Sequence, residues 1–153
     1  MAQKITPNLW FDGNAKEAAD FYASVFPDGS STVTSYYPKT KEEGLADFQL
    51  SLAGKELTVD FQAGGMTFTC INAGPEFKFN ESVSFAVTCK DQAEIDYFWE
   101  KLSSVPESEQ CGWCKDKYGL SWQIVPENMG ELLKKPGAFA KLMPMHKIVI
   151  ADF

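Results

Sequence analysis

Hydrophobic residues recur at helical spacing in two segments of the chain. The first stripe consists of Ala18, Phe21, Tyr22, Val25 and Phe26, and the second of Ile95, Phe98, Trp99 and Leu102. Each follows the spacing of one face of an amphipathic helix. The patterns Asn14-x-x-Glu17 and Asp91-x-x-Glu94 precede the two stripes and resemble capping boxes. The sequence therefore predicts two amphipathic helices, each beginning at a polar cap.

Segments rich in β-branched and aromatic residues surround both helices, which indicates strands. The predicted strands are 5–11, 31–37, 56–62, 66–72, 83–89, 109–114 and 121–125. Gly64-Gly65 would join the third and fourth strands as a hairpin. We expect a short helix at 45–52, and one or two short helices in the tail 127–153. Strands and helices in this mixture predict an α+β protein.

The pattern occurs twice, which indicates two related modules. Asp96 lies 76 residues after Asp20 in the matching helices, and Gly119 lies 54 residues after Gly65 in the matching last strands. The matching segments are 8–11 with 84–87, 20–22 with 96–98, and 65–71 with 119–125. The first module is longer because of an insertion near 38–54. The alternative, that two similar strand–helix pairs arose by chance, stays open at this point.

Length and charge narrow the class of protein. A chain of 153 residues has the length of one domain. Its net charge of −7, with scattered lysines, argues against a nucleic-acid partner, because phosphate contacts need clustered basic residues. No apolar run approaches the length of about 18 residues that a membrane span requires. The first residues also lack the apolar run of a signal peptide. We therefore expect a cytoplasmic protein without a membrane partner.

Four cysteines, Cys70, Cys89, Cys111 and Cys114, are too few for a disulfide framework in a chain of this length. Cys111-Gly-Trp-Cys114 has the spacing of a redox or zinc pair. A zinc site would need a second ligand pair, and Cys70 and Cys89 are single. Ordinary reduced thiols are the favoured interpretation, and a disulfide between Cys111 and Cys114 stays open.

Several long motifs resemble one known family. They are 5–14, 71–80, 111–113 and 116–126. The chain resembles the PhnB-like branch of the vicinal oxygen chelate (glyoxalase-like) superfamily, a branch widely labelled 3-demethylubiquinone-9 3-methyltransferase. The resemblance implies two βαβββ modules whose curved mixed sheets surround a cavity, in one domain that forms a homodimer. The module boundaries would be about 3–74 and 80–126, followed by the tail 127–153.

The resemblance also implies where a metal would lie in metal-dependent relatives. These hold a histidine or glutamate on the first and last strand of each module, at positions that correspond here to Asn8, Thr69, Ser84 and Gln123. All four are neutral, whereas divalent transition metals prefer imidazole, thiolate or carboxylate ligands. We therefore expect neither a metal nor another cofactor.

Alternation along the strands places Asn8, Thr69, Ser84 and Gln123 on one face, together with Trp10. With Trp113, which could wall an apolar ligand, these are the predicted cavity residues. A solvent-exposed sheet face is the alternative interpretation of the same alternation.

Two residues are candidates for catalysis. Cys111 is a candidate nucleophile, although no histidine is near it in sequence to activate it. Asp60, inside a strand, could act as a base if it faces the cavity. His146, the single histidine, lies in the tail. The resulting hypothesis is a protein that binds a small apolar or aromatic molecule without metal chemistry. The alternative is a lyase, isomerase or transferase, including a methyltransferase, although the chain lacks the glycine-rich turn by which many methyltransferases bind their cofactor.

Overall fold

The computed structural model describes residues 2–153. The chain divides into two compact units, one ending at Lys78 and the other spanning Phe79–Phe153. Each unit contains its own sheet and its own eleven-residue amphipathic helix, the latter at Ala15–Val25 and Gln92–Leu102.

The first unit is a complete βαβββ module. Its elements are β1 (Asn8–Phe11), α1 (Ala15–Val25), β2 (Ser30–Tyr36), a 3-10 helix (Asp47–Leu52), β3 (Glu56–Ala63) and β4 (Met66–Asn72). The strand order is β1-β4-β3-β2, with β1 parallel to β4 and the other pairs antiparallel. The hairpin predicted at Gly64-Gly65 is confirmed, and both glycines adopt the positive φ angles that such a tight turn requires.

One face of this sheet packs against α1. Its buried residues alternate along the strands; they are Leu9, Phe11, Val59, Phe61, Phe68 and Cys70. The Tyr22 ring from α1 stacks on Phe61 at 5.0 Å, and Phe61 stacks on Phe68 at 4.8 Å. Aromatic pairs at these distances add to the hydrophobic stabilisation of the core. The opposite face of the sheet therefore does not pack against α1.

The second unit has a smaller sheet. Its elements are β5 (Ser84–Cys89), α2 (Gln92–Leu102), β6 (Trp113–Lys115), β7 (Ser121–Pro126), α3 (Met129–Leu132) and α4 (Ala138–Leu142). The order is β5-β7-β6, with β5 parallel to β7 and β6 antiparallel to it. The residue pattern predicted three strands here, whereas the family resemblance implied four. A 3-10 turn at Pro106–Ser108 follows the helix instead, and Pro106 cannot donate a ladder hydrogen bond.

The two predicted helix caps have different outcomes. The Asp91 carboxylate accepts a hydrogen bond from the Glu94 amide at 2.9 Å, so the cap of α2 is confirmed. The prediction for α1 is wrong, because the Asn14 side chain makes no capping hydrogen bond. The Asn72 Oδ1 atom from β4 accepts the Ala15 amide instead, at 2.9 Å. The start of α1 is thus fixed by a residue distant in sequence.

The predicted fold class, α+β with two mixed sheets, is confirmed. Within residues 2–153, none of the helices has the length and apolar character needed to cross a lipid bilayer.

Candidate functional site

The face of the first sheet opposite α1 brings three of the candidate residues into one row. Asn8 pairs with Thr69 across the parallel strands, and Thr69 pairs with Asp60 across the antiparallel ones. The Thr69 hydroxyl donates a hydrogen bond to Asp60 Oδ1 at 2.7 Å, and the Asn8 amide donates to the Thr6 carbonyl at 2.9 Å. Asp60 is therefore a hydrogen-bonded carboxylate on a half-exposed face.

Trp10 lies on this same face and is held in a fixed orientation. Its indole Nε1 donates to the Gly74 carbonyl at 2.8 Å. The Phe77 ring stands edge-on to the indole, with a centroid distance of 4.8 Å and an interplanar angle of 77°. Phe77 is 65% exposed. The two rings form an accessible aromatic surface next to neutral polar groups.

The corresponding face of the second sheet carries the remaining candidates in two rows. Ser84, Ser121 and Lys115 are cross-strand partners in the first row, and Ala86, Gln123 and Trp113 in the second. The Gln123 side-chain amide reaches diagonally and donates to Ser84 Oγ at 2.9 Å. This half-exposed face thus combines a tryptophan, an amide, two hydroxyls and a lysine.

The two sheets differ in register by two residues. Asn8 pairs with Thr69 in the first sheet, but its counterpart Ser84 pairs with Ser121 and not with Gln123. A shift of two residues keeps every side chain on its face, because strands have a period of two. The predicted residues therefore share the expected face, while Ser121 takes the central position.

The second face also carries a charged pair and a buried hydroxyl. The Lys115 ammonium forms an ion pair with Glu81, and its hydrogen bond holds the pKa of Glu81 below its ordinary value. Ser121 is 1% exposed, and its Oγ atom has no hydrogen-bond partner within residues 2–153. The burial of Ser121 had no signal in the sequence. The Glu81–Lys115 contact also had no sequence signal.

The residues at the implied metal positions do not fit a divalent metal. Asn8, Thr69, Ser84 and Gln123 offer neutral oxygen atoms, and three of these side chains donate hydrogen bonds to other protein groups. Across residues 2–153, no group of three histidine, cysteine, aspartate or glutamate side chains is arranged to hold a metal ion.

Cys111 and Trp113 belong to different surroundings. Cys111 has a φ angle of 52°, and its Sγ atom lies 3.9 Å from the Met143 sulfur. The Cys111 amide donates to the Met145 carbonyl at 2.7 Å, so the tail packs against this loop. Trp113 lies on the sheet face described above. The structure therefore brings Trp113, but not Cys111, into the row with Gln123.

The tail also brings His146 close to the Cys111 loop, which the sequence did not predict. The His146 carbonyl accepts the Gly112 amide at 2.8 Å. Its imidazole Nδ1 lies 3.3 Å from Glu109 Oε2, which identifies Glu109 as the partner of the ring.

All four cysteines are free thiols, and burial raises the pKa of Cys114 to about 12.

The comparisons with known proteins agree with this architecture. A family model described as 3-demethylubiquinone-9 3-methyltransferase matches residues 3–125. No curated protein sequence matches the chain. A solved PhnB protein from Bacillus cereus, to which 3-demethylubiquinone-9 3-methyltransferase activity is attributed, is 34% identical. It aligns over 81% of this chain and 99% of its own, with a TM-score of 0.62.

A second solved structure, the protein PA1353 from Pseudomonas aeruginosa, has 19% identity and a TM-score of 0.58. It aligns over 82% of this chain and 98% of its own, and it supports the fold alone. The fold, shared with a relative of 34% identity, is that of a PhnB-like protein. The chain belongs to the family described as 3-demethylubiquinone-9 3-methyltransferase, so the predicted resemblance is confirmed.

Proposed function

We propose that this protein binds a small apolar or aromatic molecule on the polar faces of its sheets, without metal chemistry. The observation that carries the proposal is the orientation of Trp10. Its hydrogen bond to Gly74 and its contact with Phe77 keep an aromatic surface accessible beside Asn8 and Thr69. Ligand sites commonly combine apolar walls with a few fixed polar groups. On the second sheet, Trp113 is the cross-strand partner of Gln123.

Ligand-dependent thermal unfolding tests the proposal. A compound present at about 100 times its Kd stabilises the folded state by roughly 2.7 kcal/mol. For a chain of this length that raises Tm by about 5–10 °C. We expect small aromatic compounds to produce such shifts. A chemically diverse set of aromatic and aliphatic compounds that leaves Tm unchanged contradicts the proposal.

A matched pair of variants locates the binding surface. Phe77→Ala removes the ring beside Trp10 and should weaken aromatic ligands about tenfold, the value of one aromatic contact. Phe139→Ala removes a ring that is 67% exposed on α4, so it should leave the affinity unchanged. Equal affinities of the two variants would show that the ligand does not bind beside Trp10.

Methyl transfer is the second candidate, and the comparisons favour it. The family description and the description of the Bacillus cereus relative both name a 3-demethylubiquinone-9 3-methyltransferase. This activity requires S-adenosylmethionine as methyl donor. Calorimetric titration with S-adenosylmethionine tests it, and the absence of binding heat at millimolar concentration would reject it.

We further propose that the chain is one cooperative domain, acting as a homodimer in the cytoplasm. β2 lies at the edge of its sheet, and Phe48 and Leu50 nearby in sequence are exposed, as a protein interface would require. Four free thiols agree with a reducing compartment. Light scattering should give twice the mass of one chain, as a homodimer requires. Urea unfolding should show a single transition, as one cooperative domain requires. Fluorescence of a tagged chain tests the cytoplasmic location.

A further inference from the structure

The hydroxyl of Ser121 stands out from the other polar groups of the protein. Ser121 lies on the central strand β7 and is 1% exposed. Its Oγ atom is the single buried side-chain oxygen or nitrogen within residues 2–153 without a hydrogen-bond partner. A buried hydroxyl without a partner destabilises the folded protein, so it calls for a physical explanation.

Both cross-strand neighbours of Ser121 are engaged elsewhere. On one side, Ser84 Oγ accepts the Gln123 amide at 2.9 Å. On the other side, Lys115 directs its ammonium to Glu81. Ser121 is therefore flanked by polar groups that already have partners. None of these contacts involves the Ser121 hydroxyl, and a molecule that enters this face can supply its partner.

The charges on the face indicate what kind of molecule fits. The Lys115 side chain is 23% exposed, whereas the Glu81 side chain is 62% exposed on a loop. A carboxylate thus already binds the Lys115 ammonium, and Glu81, which supplies it, is the more exposed residue of the pair. A ligand carboxylate can replace Glu81 at Lys115 and accept a hydrogen bond from Ser121. Charge-assisted hydrogen bonds of this kind are the stronger ones.

Trp113 supplies the apolar part of the same surface. It lies two residues before Lys115 on β6, so both side chains project from one face. We propose that this face binds an aromatic carboxylate, with the carboxylate at Ser121 and Lys115 and the ring against Trp113. The inference rests on the proposed small-molecule binding and specifies the chemical class of the ligand.

Matched acid and alcohol probes test the inference on the full-length protein. The acids are benzoate and 1-naphthoate, and their neutral partners are benzyl alcohol and 1-naphthalenemethanol. Ligand-observed NMR titration gives each Kd. We expect the acids to bind at least about tenfold more tightly than the alcohols, the effect of a hydrogen bond to a charged group. Acids and alcohols that bind equally overturn the inference and leave the proposed function intact. If none of the four probes binds, the inference is rejected. That result would also count against the proposed function, because these probes are the simplest aromatic ligands.

Two substitutions should change acid binding in opposite directions. Lys115→Met removes the cation and should weaken benzoate about tenfold or more. Glu81→Gln removes the competing carboxylate and should tighten benzoate severalfold. The control pair is Lys134→Met and Glu131→Gln, which alters an exposed ion pair of the same kind and should change nothing. Weaker binding after Glu81→Gln would contradict the exchange of carboxylates.

Ser121→Ala distinguishes a ligand contact from a structural role. Removing a hydroxyl without a partner should raise the Tm of the free protein by about 2 °C or more. The same substitution should weaken benzoate about tenfold, since the ligand loses a donor. A structural hydroxyl would instead lower Tm when removed. Unchanged benzoate affinity in the folded variant overturns the role of Ser121.

Discussion

The Trp122 indole donates a hydrogen bond to Asp116 Oδ2 at 2.8 Å, and both residues are buried. The other carboxylate oxygen, Oδ1, accepts the amides of Tyr118 and Leu120 at 2.8 and 3.1 Å. One buried carboxylate therefore ties the β6–β7 turn to the core of the second unit. A buried charge is tolerated only with such a set of donors.

Replacing Asp116 by asparagine should show how much this arrangement contributes. An asparagine oxygen can accept the two turn amides, but its NH₂ group then faces the indole N–H, and two donors meet. We expect the free energy of unfolding to fall by about 2–3 kcal/mol. Urea denaturation measures it. Asp12→Asn changes an exposed carboxylate and should stay within about 0.5 kcal/mol. Equal losses in both variants would show that the Asp116 contacts do not stabilise the fold.

The start of α1 gives a second prediction. Asn72 is 4% exposed; it accepts the Ala15 amide and donates to the Glu56 carbonyl at 3.0 Å. Asn72→Ala leaves both groups without this partner, so stability should fall by about 2–3 kcal/mol. Asn14→Ala, at the position expected from sequence to cap the helix, should cost less than about 0.5 kcal/mol. Thermal unfolding measures the loss of stability in each variant. A larger loss for Asn14→Ala than for Asn72→Ala would show that Asn14 caps the helix.

These contacts explain how far the sequence could predict the structure. The polar face that holds Asn8 and Thr69 followed from alternation, which is local. The neighbouring strand residues Leu9, Phe11, Phe68 and Cys70 are buried on the opposite face. The cap supplied by Asn72 joins residues that are 57 positions apart, and no local pattern encodes such a contact. The same reason explains why alternation placed the candidate residues of each sheet on one face but could not give the two-residue difference in register between the sheets.

The candidate site shows the same limit. The sequence grouped Ser84 and Gln123 correctly, and their hydrogen bond now joins them. It gave no means of finding Glu81 opposite Lys115, because a loop residue has no periodicity. Nor did it relate His146 to Glu109, since that contact depends on how the tail packs.

Thiol reactivity follows from burial. Burial raises the pKa values of Cys70, Cys89 and Cys114 to about 12, with smaller contributions from nearby carboxylates. The thiolate is the reactive form, so at pH 8 these three thiols should be almost inert. Cys111 is partly exposed. Iodoacetamide should therefore add one carbamidomethyl group to the native chain and four after denaturation, as measured by intact mass.

The Cys111→Ser variant is the control for this labelling. It should take up no reagent in the native state and three equivalents in denaturant. Raising the pH toward 12 should increase labelling of the buried thiols, because their thiolate fraction grows tenfold per pH unit. A native wild-type protein that gains two adducts at similar rates at pH 8 would contradict the assignment of Cys111 as the accessible thiol.

Gly29 marks the closest backbone approach after α1. A Cβ atom built there would lie 1.7 Å from the Ala23 carbonyl oxygen, which belongs to the helix and has no freedom to move aside. The Gly29 amide also donates to the Phe26 carbonyl at 2.9 Å, so the turn is fixed on both sides. Gly29→Ala should therefore lower the free energy of unfolding by about 3 kcal/mol, near the upper end for overpacking.

Gly130→Ala is the matched control, because Gly130 lies in α3 with no atom within 4 Å of its Cβ position. Alanine favours helix there and should raise stability by about 0.5 kcal/mol. Chemical denaturation of both variants measures the difference, and effects of the same sign would show that the chain after α1 can shift to accommodate a side chain.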